Sequence, residues 1–214
     1  MTLAPPSRVR QPLRAYPPRR HTKQLERSDQ RQLLAIARRS IEAAVCRGAI
    51  AGAVPAPLPR TLSEPAAAFV TIHERGSLRG CIGLMRFETP LWQNVRDAAA
   101  AAALDDPRFL PVDESELGSL ELEVSVLDPP VDLPDPLGFV AGRHGIVVER
   151  GGHRALLLPQ VATEMGWDET QMLEAVCRKA NLPAEAWREP STRLLVFEST
   201  CFDESAVNAE PAEI

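Results

Sequence analysis

No apolar run in this chain approaches the ~18 residues that a membrane-spanning helix needs. The first residues also lack the apolar core of a secretory signal, because Pro5, Pro6, Arg8, Arg10 and Pro12 occupy its place. No membrane association and a cytoplasmic location are therefore expected. The four cysteines (Cys46, Cys81, Cys177, Cys201) include no CxxC pair, and in a reducing compartment they read as free thiols. His144 and His153 flank a glycine-rich turn, but no ligand pair has CxxC or helical i,i+4 spacing, so no metal site is expected. Glycines 142, 145, 151 and 152 do not match a phosphate-binding loop between a strand and a helix. There is no internal repeat. Aromatic residues are only 5% of the chain, with Tyr16 the single tyrosine.

What is present describes an ordinary globular protein of 214 residues, 44% hydrophobic and 25% charged, long enough for one large domain or two small ones. The net charge of −5 conceals an asymmetry. Residues 1–24 carry six basic side chains and no acid, leaving 18 basic and 29 acidic side chains, a balance of −11, in the remainder. This proline-rich arm (1–24) reads as a disordered solubilising tail. It lacks the aromatic platforms that single-strand binders use, and the acidic body argues against nucleic acid as the main partner.

The pattern along the chain predicts mixed elements. Ser28 is placed to cap a helix running to about Arg47, with Gly48 as a left-handed stop. Four prolines from Pro55 to Pro65 predict a loop. Residues 66–73 and 78–84 read as a hairpin turning through residues 74–77. Thr89-Pro90 opens an alanine-rich helix that Asp105-Asp106-Pro107 stops. Residues 119–127 alternate as a strand, with Leu120, Leu122, Val124 and Val126 on one face and Glu121, Glu123 and Ser125 on the other. A proline-rich linker (128–138) follows. Two short strands surround Gly151-Gly152, and Asp168 with Gln171 forms a capping box for a helix to about Asn181. Residues 193–202 read as one closing strand before a loose acidic end. Hairpins without strict strand–helix alternation favour an α+β fold.

The ordered set Phe69-Val70-Thr71, Leu78-Arg79-Gly80-Cys81-Ile82-Gly83, Asp106-Pro107-Arg108-Phe109, 121–127, 156–161, Gly166-Trp167, Cys177 and Trp187 resembles the AMME chromosomal region (AMMECR) domain family. Its bacterial members are labelled AmmeMemoRadiSam system protein A. The resemblance covers roughly residues 25–203; Ala155 departs from it where glycine is expected. It implies two unequal subdomains, the larger from both chain ends and the smaller from the middle, with an antiparallel or mixed sheet packed by helices and a cleft between them. It also implies a Memo-like protein and a radical S-adenosylmethionine enzyme as partners. It supplies no settled reaction or cofactor.

Chemistry concentrates in residues 78–83. Glycine inside a strand marks a bulge or a close backbone approach, and here Gly80 and Gly83 bracket a thiol two residues after a guanidinium. Cys81 is either a small buried hydrophobe or a reactive thiol favoured by a nearby arginine. A regular hairpin would pair His73 with Leu78, Ile72 with Arg79 and Val70 with Cys81, turning His73 away from Cys81. A one-residue bulge at either glycine would reverse that parity. Arg79 needs an acidic partner, with Glu123 the expected one and Glu121 the alternative. Arg108 is placed at a helix end where it could grip a carboxylate or phosphate, or else lie in solvent. The expected site is therefore Cys81 as nucleophile or redox thiol, Arg79 stabilising charge, Glu123 orienting or exchanging protons, and Gly80, Gly83 and Arg108 binding a small polar ligand. The competing expectation is a non-catalytic accessory module in which Cys81 is inert.

Overall fold

The structure is a computed structural model that describes residues 25–48 and 57–209. In chain order its elements are α1 (Arg27–Arg47), α2 (Arg60–Ser63), β1 (Ala67–Glu74), β2 (Ser77–Leu84), α3 (Leu91–Leu104), a 3-10 turn (Glu114–Ser119), β3 (Leu120–Leu127) and β4 (Val131–Asp132). These are followed by β5 (Gly145–Arg150), β6 (His153–Leu157), α4 (Pro159–Met165), α5 (Glu169–Lys179), a second 3-10 turn (Ala184–Arg188), β7 (Arg193–Phe197), β8 (Ser199–Asp203) and α6 (Glu204–Asn208). Helices and two antiparallel sheets make the fold α+β. The expectation for the arm 1–24 lies outside the described residues. The acidic end 204–214 was expected to be loose, but Glu204–Asn208 form α6, with Val207 buried in the core and Glu204 paired with Arg38; of this end only the residues beyond 209 lie outside the described ones.

The chain divides into two compact units, one holding residues 130–198 and the other the described residues before 130 and after 198. In the latter, the sheet order is β2-β1-β3-β8, and α1 and α3 pack against its apolar face. That face is built by alternation: Val70 and Ile72 of β1 and Leu120, Leu122, Val124 and Val126 of β3 are buried in one core. Helix α3 contributes Ala98, Ala99, Ala102 and Ala103 to it, small side chains that bring the helix backbone down onto the sheet. A Cβ at Gly80 would lie 2.2 Å from the Ala102 carbonyl oxygen, so this contact requires glycine. Arg38 fastens α1 to the sheet margin by donating to Glu204 and to the Leu117 and Leu120 carbonyls.

The other unit has sheet order β4-β7-β5-β6, with a separate core of Ile146, Val148, Met172, Leu173, Val176, Cys177 and Val196. Asp168 and Gln171 form the expected capping box at the start of α5. In both units a phenylalanine lies across its cross-strand glycine. Phe69 covers Gly83 and Phe197 covers Gly145, each ring within about 2.2 Å of where a Cβ would sit.

Several boundaries differ from the sequence pattern. Helix α1 begins one residue before Ser28 and has Glu26 at its N-cap with no side-chain cap, while Gly48 ends it in the left-handed region as expected. Pro90, not Thr89, is the N-cap of α3. The proline-rich stretch after residue 57 contains the short α2, and the 128–138 linker contains β4. Residues 193–202 are not one strand: Glu198 separates β7 and β8, which belong to different sheets. Apolar content alone could not mark that change of sheet, because buried apolar residues lie on both sides of it, Leu194 to Phe197 in β7 and Phe202 in β8.

Candidate functional site

The hairpin that carries Cys81 turns through Arg75 and Gly76, both with positive φ (51° and 77°), as a two-residue primed turn demands. His73 pairs with Leu78, but the register then shifts: Ile72 faces Gly80 and Thr71 faces Cys81. Arg79 is the extra residue of a β-bulge. This corrects the regular pairing expected above. Cys81 shares its face with Phe69, Thr71 and His73, whereas Val70 and Ile72 lie on the core face with Gly80 and Ile82. His73 is therefore on the Cys81 face.

Strand β2 is the edge of its sheet, so the main-chain N–H and C=O of Cys81, which point away from β1, need partners elsewhere. Asp106 and Arg108 supply them. The Cys81 N–H donates to Asp106 Oδ2 at 2.8 Å, and Arg108 Nη2 donates to the Cys81 carbonyl at 3.3 Å. Asp106 and Arg108 also grip each other, with Nε on Oδ1 at 2.9 Å and Nη2 on Oδ2 at 2.7 Å. The Asp106 side chain is 2% exposed and that of Arg108 is 54% exposed, so the pair runs from the interior to solvent beside the thiol. The hydrogen bond from Arg108, with further bonds from the Cys81 and Arg108 backbone, holds the Asp106 carboxyl well below the usual carboxylate range despite burial. Arg108 is raised in turn, chiefly by Asp106 and in smaller part by its interaction with the Cys81 thiol.

The thiol is half-buried, and Thr71 Oγ1 donates to Cys81 Sγ at 3.4 Å.

Arg79 does not join this group through Glu123. Its fork meets Glu116 side-on, Nε to Oε1 at 2.7 Å and Nη2 to Oε2 at 3.0 Å, and it also donates to the Leu110 and Pro111 carbonyls. The bulge and the loop after α3 explain the change of partner, since that loop runs beside β2 and brings Glu116 to Arg79. Glu116 is already fixed by accepting the Asp113 N–H in a capping box. Arg79, 15% exposed and committed at Nε, Nη1 and Nη2, is a structural clamp. Glu123 lies one strand further in, opposite Thr71 of β1 and Asp203 of β8, and helps to raise the Cys201 thiol. Gly80 and Gly83 are likewise spent on packing, against the Ala102 carbonyl and the Phe69 ring. Of the expected site residues, the structure brings Cys81 and Arg108 together.

The residues that sequence reasoning missed are Asp106, Thr71 and Glu116. Asp113-x-x-Glu116 is a capping-box pattern and could have flagged Glu116. Asp106 entered the sequence reading only as part of a helix stop and of the family motif, because its bond to the Cys81 N–H comes from a fold-back across 25 residues. Among the described residues, no group of three or more His, Cys, Asp or Glu is arranged to hold a metal ion. His153 Nδ1 lies 3.0 Å from the Ala180 carbonyl oxygen, and His144 Nδ1 accepts the Val140 N–H. No helix among the described residues is long and apolar enough to cross a membrane.

An α+β chain of two antiparallel sheets with this hairpin matches a known architecture. The crystal structure of the uncharacterized protein PH0010 from Pyrococcus horikoshii superposes with a TM-score of 0.78 at 37% identity, covering 83% of this chain and 92% of that one. A Methanothermobacter thermautotrophicus protein is 41% identical over 186 residues, 84% of this chain and 96% of its own. A Nanoarchaeum equitans protein is 41% identical over 158 residues, 71% of this chain and 88% of its own. The AMMECR1 family model matches residues 34–202, and the chain belongs to that family.

Proposed function

We propose that this AMMECR1-family protein binds or acts on a small polar ligand at Cys81, with the thiol as nucleophile or redox group. The observation that carries this reading is half-buried Cys81, whose sulfur accepts from the Thr71 hydroxyl on β1 and whose main-chain carbonyl accepts from Arg108, an arginine anchored yet exposed. A thiol serving only as packing needs neither neighbour. Arg108 takes the charge-stabilising role expected of Arg79, and Asp106 holds it in place.

The test is protection. The small-molecule filtrate of a cell extract should slow iodoacetamide modification of Cys81 while leaving exposed Cys46 unaffected. Equal rates at Cys81 with and without filtrate contradict ligand binding there.

A second reading has its own support. Gly80, Gly83 and Arg79 are each accounted for by packing or clamping, as a non-catalytic accessory module would require. On that account the protein docks onto Memo-like and radical S-adenosylmethionine partners in the cytoplasm, and Cys81 is inert.

A further inference from the structure

The two arginines nearest the motif differ in what they have left to offer. Arg79 uses Nε, Nη1 and Nη2 on Glu116 and two carbonyls. Arg108 uses Nε and Nη2 on Asp106 and the Cys81 carbonyl, while Nη1 meets no carboxylate or carbonyl among the described residues. Its face is steadied by Phe109, 5.4 Å from the guanidinium carbon to the ring centroid. The side chain is thus fixed in orientation and open to solvent, with one end unspent. Cys81, Thr71 and Arg108 together form a thiol, a hydroxyl and an oriented cation on one patch.

We infer that the ligand of this site is an anion, received by the Nη1 end of Arg108 beside the Cys81 sulfur, with Asp106 as the positioning residue that fixes the guanidinium plane. This rests on the proposed function and specifies its ligand class. An immobilised guanidinium loses less freedom on binding an anion than a mobile surface side chain does. The Asp106 charge is already balanced by Arg108, and both of its oxygens accept hydrogen bonds.

The test uses two alkylating probes of the same reaction on the full chain, iodoacetate (an anion) and iodoacetamide (neutral). In each, the sulfur–carbon bond forms, the carbon–iodine bond breaks, iodide leaves and the thiol proton passes to solvent. Rates at Cys81 are read by peptide mass spectrometry, and the iodoacetate/iodoacetamide ratio is compared with that of free cysteine.

The ratio should exceed that of free cysteine by about fivefold, as a partly exposed ion pair supports, and should fall with added salt. Arg108→Gln should abolish the excess, and Asp106→Asn should reduce it with Arg108 still present. The salt dependence is measured on the wild type and does not require that a variant folds. Reaction with iodoacetamide but no iodoacetate excess overturns the anion assignment and leaves the thiol site standing. Reaction with neither probe overturns both.

Discussion

The Asp106 carboxylate accepts the main-chain N–H of Cys81 at 2.8 Å, across a gap of 25 residues. It closes the exposed edge of β2 at the residue whose thiol is the centre of the site, while Arg108 closes the same residue's carbonyl. One ion pair thus replaces the neighbouring strand that an edge lacks.

Removing that carboxylate should be costly. Asp106→Ala leaves the Cys81 N–H and the Arg108 guanidinium without their acceptor, a loss of about 1–3 kcal/mol in denaturant unfolding. The depressed Asp106 pKa also sets a sign. Its contribution is complete above the ordinary carboxylate value of about 3.9 and is lost as pH falls from there toward the lower folded value. Wild type should therefore lose stability on acidification below about pH 4 more steeply than Asp106→Asn. Parallel acid profiles for the two would contradict this role.

Arg79 and Glu116 should show energetic coupling of about 1 kcal/mol in a double-mutant cycle, while Arg79 and Glu123 should add within about 0.5 kcal/mol. Charge-neutral replacements (Arg79→Met, Glu116→Gln, Glu123→Gln) suit the cycle. Strong coupling to Glu123 would restore the partner that the sequence favoured.

The two glycines of the motif should respond differently. Gly80→Ala drives a Cβ into the Ala102 carbonyl, backbone that cannot step aside, and should cost about 1–3 kcal/mol. Gly83→Ala meets first the Phe69 ring, a side chain, so pairing it with Phe69→Ala should recover part of its loss. No recovery in the double variant would place the clash elsewhere.

The thiols should separate by environment. Cys177 is fully buried and raised by that burial, so it should react only on unfolding. Part of the Cys201 residue is exposed, yet crowding around its sulfur, with Glu123 and Asp203, pushes the thiol up to about 12. It should stay nearly unmodified at pH 8, a pH at which an ordinary thiol near 8.5 is already about one-quarter ionised. Peptide mapping after iodoacetamide treatment reads all four cysteines at once.

Much of the architecture was legible because it follows from periodicity and caps. The alternation in 120–127, the Asp168–Gln171 box and the Gly48 stop each state their structure locally. The site was legible only in its centre. Cys81 and Arg108 stand out as residue types, and Gly80 correctly announced a close backbone approach. The bulge at Arg79 was not visible, since either register leaves apolar residues on both faces of the hairpin. That single inserted residue moved Thr71 to Cys81, brought His73 to the thiol's face and accompanied the pairing of Arg79 with Glu116. Asp106 was hidden for a different reason. Its partner is a main-chain N–H, which carries no side-chain signature.

The most direct test of the account compares iodoacetamide rates at Cys81 and Cys46 in the native full chain at pH 7. Cys46 is exposed and Cys81 half-buried, so accessibility alone ranks Cys46 faster. The account predicts that Cys81 reacts at least as fast, and that Arg108→Gln slows it several-fold without changing Cys46. A Cys81 rate well below that of Cys46, unmoved by Arg108→Gln, would contradict a working thiol and leave the accessory module.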